Sequence, residues 1–146
     1  SAGSCGDGGG IIRIQATGSV IVNGRISANG LDGKRYAGPG AGGSIWITCK
    51  TFAGGKGTIE AKGGTVPPNI GGDNGGGGGR IALVFDKAAQ RKQPPVTVRF
   101  STAGGQGSGP GEPGTLFLSD ADILKTIEAE TPPPQPPKEK APHDTK

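Results

Sequence analysis

The sequence predicts an all-β fold: a short parallel β-solenoid of about three and a half coils, each about 35 residues, with a C-terminal capping helix and a Pro-rich tail. Three observations predict it. The 146 residues include 31 Gly and 13 Pro, a share that marks low-complexity chains unless the glycines are periodic, and here they are. Hydrophobic residues are 31% and aromatic residues 4%, with no Met, too little apolar mass for a rounded core. Like residues recur at a fixed spacing: Ile12 to Ile45 is 33 residues, Ile45 to Ile81 is 36, and Ile81 to Leu116 is 35.

Each repeat opens on a glycine followed by alternating apolar residues. The four openings are Gly9-Gly10-Ile11-Ile12-Arg13-Ile14, Gly42-Gly43-Ser44-Ile45-Trp46-Ile47, Gly78-Gly79-Arg80-Ile81-Ala82-Leu83 and Pro113-Gly114-Thr115-Leu116-Phe117-Leu118. A second motif follows in three of them: Gly24–Gly30, Gly57–Gly63 and Val98–Gly104. Period-two alternation turns one side of each strand inward. Two strands per repeat are therefore expected. Their inward ladders are Ile12/Ile45/Ile81/Leu116, Ile14/Ile47/Leu83/Leu118, Ala16/Cys49/Phe85, Ile26/Ile59/Phe100 and Ala28/Ala61/Thr102. One repeat cannot bury its own apolar side, but repeats stacked about 4.8 Å apart can. Glycine at the corners is expected to supply bends with positive φ and close backbone approach.

The linkers Leu31–Ala41, Thr65–Gly77 and Gly105–Glu112 fall at one station and should emerge along one edge. Asp86–Pro95 is an insertion, either a surface loop or one helical turn. Residues 1–118 form the Gly-rich body. Residues 119–130 read as the capping helix, with Ser119 or Asp120 as N-cap and Ile123 and Ile127 on one side. Residues 131–146 form an extended tail that begins as polyproline II. The N-terminal end of the stack shows no cap, which favours contact with another chain or with a preceding coil. The chain starts at Ser1 rather than Met, as expected of a processed product or an excised piece.

These motifs, from about Gly8 to Leu118, resemble the Gly-rich repeats of large secreted bacterial surface proteins. Such repeats are taken as right-handed parallel β-helices of the pectate-lyase-like or adhesin type. The resemblance implies architecture and an extracellular or cell-surface setting. It carries over no catalytic residue, because no lyase motif can be placed on this chain.

Chemistry is sparse. Lys and Arg total 16 against 12 Asp and Glu, a net charge of +4, with the body cations scattered rather than clustered among aromatics. That argues against nucleic acid and for a solvated basic surface, with weak attraction to acidic polysaccharide or another polyanion as the alternative. No stretch approaches the roughly 18 apolar residues of a membrane helix, and no secretory signal opens the chain. The single His, His143, and two Cys leave no zinc site and no His-based triad. The run 71–75 lacks the Gly-Lys-Ser/Thr ending of a phosphate loop. Gly54–Ile59 begins like a calcium-binding nonapeptide but holds Thr58 where Asp is required. The body carboxylates fall one per loop or strand, without the pairing that glycoside hydrolysis needs. We therefore expect no catalytic residue, no metal ligand and no cofactor.

The outward positions of the first strands are Arg13, Trp46, Ala82 and Phe117. Two large aromatics on a solvent side need cover, from the Pro-rich tail or a loop of the same chain, from a protein contact, or from a sugar ring stacked on Trp46. Arg13, Trp46 and Phe117, with Pro133, Pro134 and Pro136 of the tail, are the candidate protein contacts. Asp32, Lys34, Arg35 and Tyr36 form a compact polar loop and, with Trp46, are the candidate carbohydrate contacts, against the plainer reading of a solvated loop. Cys49 lies on an inward ladder and reads as a core thiol, while a disulfide from Cys5 to Cys49 or to another chain stays open. The expected function is a non-catalytic structural or adhesive segment of an extracellular surface assembly or filament, through self-association or other chains. The alternative is a polysaccharide-binding module or a non-catalytic fragment of a β-helical lyase.

Overall fold

A computed structural model describes residues 5–34, 36–67 and 74–123. Among them are nine strands and one helix. The first repeat gives β1 (Ile11–Gln15), β2 (Ser19–Ile21) and β3 (Arg25–Ser27), and the second gives β4 (Ser44–Thr48), β5 (Thr51–Ala53) and β6 (Thr58–Glu60). The third gives β7 (Arg80–Val84), α1 (Lys87–Gln90) and β8 (Arg99–Ser101), and β9 (Thr115–Leu118) follows. All pairing is parallel, in three sheets ordered β1-β4-β7-β9, β2-β5 and β3-β6-β8.

This arrangement corrects the expected β-solenoid. The first two repeats each use three strands rather than two, and the sheets hold four, two and three strands, so no closed coil runs through every repeat. The break falls at the second sheet. Where a third strand would follow β2 and β5, the chain forms α1 instead. The described residues make a small β-rich domain of three short parallel sheets.

The register within the sheets follows the sequence repeat. Ile12, Ile45, Ile81 and Leu116 are partners across the first sheet, as are Ile14, Ile47, Leu83 and Leu118. Ile26, Ile59 and Phe100 are partners across the third. The middle members are sealed, with Ile47, Ile59, Ile81 and Leu83 all at 0% exposure. The outer members Ile12, Ile14 and Ile26 are only half-buried. The second sheet adds Phe52, whose ring meets Phe100 with centroids 6.1 Å apart. Val96 and Val98, on the way from α1 to β8, complete one continuous core.

The insertion after β7 is one helical turn. The Asp86 carboxylate caps it, accepting from Ala88 N at 2.9 Å and Ala89 N at 3.1 Å. Gln90 then treats β5 as a neighbouring strand would. Its Oε1 accepts from Phe52 N at 2.7 Å and its Nε2 donates to Phe52 O at 2.9 Å. A side-chain amide thus closes the edge of the two-stranded sheet.

At the other terminus Asp120 Oδ1 accepts from Asp122 N, Asp122 and Ile123 are helical, and Ile123 is buried against the core. The rest of the helix expected over 119–130 lies outside the described residues. So does the tail with Pro133, Pro134 and Pro136.

The linkers are a second packed body, not free loops. Their backbones bond from repeat to repeat, for example Gly30 N to Lys62 O, Gly63 N to Ala103 O and Gly33 N to Thr65 O, each at 2.9 Å. Glycines then bond across the body, Gly64 N to Gly40 O, Gly76 N to Gly64 O and Gly105 N to Gly76 O. A Cβ on Gly63 would overlap the Gly76 carbonyl, and one on Gly105 the Gly64 carbonyl. Close approach, rather than bending, is what glycine supplies here. Among the described glycines only Gly54 has φ in the left-handed range, at 153°. That corrects the expectation of positive-φ corners.

Candidate functional site: the outer side of the first sheet

β1, β4, β7 and β9 lie side by side, so their outward residues form columns across the strands. One column is Arg13, Trp46, Ala82 and Phe117. Trp46 is 53% exposed and Phe117 58%, while the small Ala82 between them is 8% exposed. With strands about 4.8 Å apart, the strand positions of the two aromatics lie roughly 10 Å apart, with buried Ala82 between them. Trp46 Nε1 donates to Thr48 Oγ1 at 2.9 Å, which settles the indole polar group along its own strand. The ring is left as an apolar surface with its hydrogen bond already made.

The neighbouring column is Ile11, Ser44, Arg80 and Thr115. Before it runs a floor of glycine backbone. Gly42, Gly43, Gly78, Gly79 and Gly114, with Ser44, Arg80 and Thr115, line a shallow open depression of about 320 Å³. The amides of that floor are used internally. Gly43 N donates to Ala28 O, Gly79 N to Ala61 O and Gly114 N to Thr102 O, each at 2.7 Å. The floor therefore offers no free donors of the kind a phosphate cradle needs. Its polar chemistry comes from the two hydroxyls and the exposed Arg80.

The other carbohydrate candidates lie on the linker between β3 and β4. Lys34 and Ala37 bridge as an antiparallel pair around a tight turn, and Tyr36 sits in the left-handed region at φ 63°, 78% exposed. Asp32 Oδ1 accepts from Thr65 N at 2.7 Å, so its carboxylate ties two linkers together. Arg35 lies outside the described residues.

Both cysteines are free thiols. The disulfide left open between them is not formed. The Gly6 amide bonds to Gly38 O, which places Cys5 beside the linker, whereas Cys49 follows β4 into the core. Burial pushes the Cys49 thiol above its usual range, against a smaller lowering by the backbone hydrogen bond to Val20.

Sequence reasoning missed one buried carboxylate. Alternation turns Glu60 outward on β6, yet it is 2% exposed. Arg25 from β3 pairs with its Oε1 through Nε and a terminal nitrogen. Asn29 Nδ2 donates to the same oxygen at 3.2 Å, and Lys62 Nζ stands 2.6 Å from Oε2. Asn29 Oδ1 in turn accepts from Lys62 N at 2.7 Å. Burial alone would raise this carboxyl, but Lys62, Arg25 and Asn29 outweigh it and hold it below the ordinary carboxylate range. The signal lay in reading across repeats, since Arg25 stands over Thr58 and Ser27 over Glu60. Glu60 itself is sealed, while the Arg25 and Lys62 side chains that cover it remain partly exposed.

A further hollow of about 260 Å³ lies where α1 meets the C-terminal side, lined by Phe85, Arg91, Pro94, Val96, Asp120 and Ile123 among others. Among the described residues no group of three His, Cys, Asp or Glu could hold a metal ion, and no helix is long and apolar enough to cross a membrane. Compared with known protein families, with curated proteins and with solved structures, the chain matches none.

Proposed function

We propose that this chain is a non-catalytic structural and adhesive domain of an extracellular surface assembly, gripping its target with the outer side of the first sheet. The supporting observation is the exposed column of Trp46 and Phe117, held rigidly by four paired strands and flanked by Arg13 and Arg80. Large apolar rings on a rigid surface gain free energy when covered and lose little conformational entropy in the process. The extracellular setting follows from the resemblance of the Gly-rich repeats to those of secreted surface proteins.

A second reading, polysaccharide binding, is favoured by the glycine-floored depression beside those rings. A chain of sugar rings laid across the strands could stack on Trp46 while Ser44, Thr115 and Arg80 meet its hydroxyl or carboxylate groups.

Trp46 is the only tryptophan, so its fluorescence reports on this surface alone. On mixing with insoluble extracellular material from cells that secrete the chain, the protein is expected to co-sediment. Its Trp46 emission should shift to the blue and resist acrylamide quenching. Retained co-sedimentation after Trp46→Ala and Phe117→Ala together would sink the proposal. Retardation in gels cast with a soluble polyuronate, lost in Trp46→Ala, would select the second reading.

A further inference from the structure

Trp46 on β4 and Phe117 on β9 occupy one column, two strands apart, with the small, buried Ala82 between them. Two strand spacings come to roughly 9.6 Å. A polyproline II helix repeats every three residues at about 3.1 Å per residue, roughly 9.3 Å. The segment 131–137, Thr-Pro-Pro-Pro-Gln-Pro-Pro, carries two Pro-Pro pairs at that repeat, Pro133-Pro134 and Pro136-Pro137. The segment lies outside the described residues, and its prolines predispose it to polyproline II. One pair can therefore stand over each ring.

The chemistry of the two partners matches. A proline offers a backbone carbonyl and no N–H, so such a segment mostly accepts hydrogen bonds. β1, β4, β7 and β9 contain no Asp or Glu, and Ser44, Arg80 and Thr115 beside the rings supply donors. The same surface of a second copy is a poorer occupant. It would bring two further guanidinium groups to Arg13 and Arg80, with no carboxylate on these strands to offset them. The connection is long enough within one chain. Ile123 is six residues beyond Phe117, hence within roughly 20 Å of it, and the ten residues from Ile123 to Pro133 span up to roughly 33 Å.

We infer that the outer side of the first sheet is a docking surface for polyproline II, and that its occupant is the segment 131–137 of the same chain. This rests on the gripping surface proposed above and gives it a regulator, since an external target must displace the segment. A tethered segment acts at an effective concentration in the millimolar range, so weak contacts keep it seated. Its prolines have φ fixed beforehand and lose little entropy on docking.

Acrylamide quenching of Trp46, the single tryptophan, tests this in the 146-residue chain. The indole is expected to be shielded to the same extent at every protein concentration. Pro133→Ser, Pro134→Ser, Pro136→Ser and Pro137→Ser together should raise the quenching constant severalfold. A synthetic peptide of residues 129–140, added to that variant, should restore the shielding. One Gln inserted after Gln135 keeps every proline but breaks the three-residue repeat, and it should unshield the indole as well. Equal quenching of the native chain and the four-Ser variant overturns the inference. Shielding that grows with protein concentration moves the segment to a neighbouring copy and overturns the assignment to the same chain. Shielding that survives the insertion overturns the match of proline pairs to rings. The four-Ser variant should also co-sediment more strongly, because its gripping surface is uncovered. Co-sedimentation that needs both rings, without shielding by the segment, removes the docking inference alone. Shielding by the segment, with co-sedimentation unchanged by Trp46→Ala and Phe117→Ala together, removes the adhesive reading alone.

Discussion

Gly63 shows what a single residue position can demand. Its Cα faces the Gly76 carbonyl so closely that a methyl group has no room. Gly63→Ala should destabilise the chain by about 2–3 kcal/mol or more, the usual scale of overpacking against backbone that cannot move. Gly10, where an added Cβ meets nothing within 4 Å, is the control, and Gly10→Ala should stay within about 0.5 kcal/mol. Urea denaturation of the two variants checks the pair. Glu60 makes a second prediction at this scale. Its folded carboxyl titrates below its unfolded value, so its contribution is fully present above the unfolded range near pH 4.5. That contribution is lost as pH falls through the lower folded value. Glu60→Gln should therefore reduce stability at pH 7 and flatten the dependence of stability on pH below about 4.5, measured by chemical denaturation across that range.

At the scale of the element, α1 substitutes for a strand. Gln90 answers both polar groups of Phe52, a residue 0% exposed. Gln90→Leu keeps the bulk but removes both bonds and leaves a buried donor and acceptor unmet, at a cost of about 2–4 kcal/mol. Hydrogen exchange of the Phe52 amide should accelerate markedly while that of Ile47 changes only with global stability. The ladders make a companion prediction. Ile81→Ala, at the sealed centre of the first sheet, should cost about 3–4 kcal/mol, and Ile12→Ala, at its half-open edge, clearly less, by thermal or urea unfolding. The ladders were legible in the sequence because the first strand of each repeat carries Ile or Leu at two alternate positions behind glycine: 12 and 14, 45 and 47, 81 and 83, 116 and 118. β2 and β5 were not, because Ser-Val-Ile and Thr-Phe-Ala are too short for a period and follow no shared marker. Their absence from the third repeat is what separates three small sheets from the closed coil expected. The Trp46–Phe117 column could be read from the register alone. The burial of Glu60 could be read only in part, since register brings Arg25 beside it but Asn29 and Lys62 cover it from beyond the paired strands.

Across the whole molecule, one core joins all three sheets, and Cys49 lies inside it while Cys5 is exposed. One thiol of the native chain should react promptly with a disulfide reagent. The second should react only at the rate of global unfolding, and both at once in denaturant. Fast reaction of both would mean that the core opens locally at the end of β4. Burial also holds the Cys49 proton on, so folding is favoured below pH 9 and loses that contribution as pH rises through the higher folded value.

The glycine body has a consequence for how such a molecule can vary. Where backbone rests on backbone there is no side chain to trim, and every available replacement is an enlargement. An added side chain at Gly63 or Gly105 meets a carbonyl oxygen that is itself held in the packed backbone, so at these positions the body has no gradual route to a different shape.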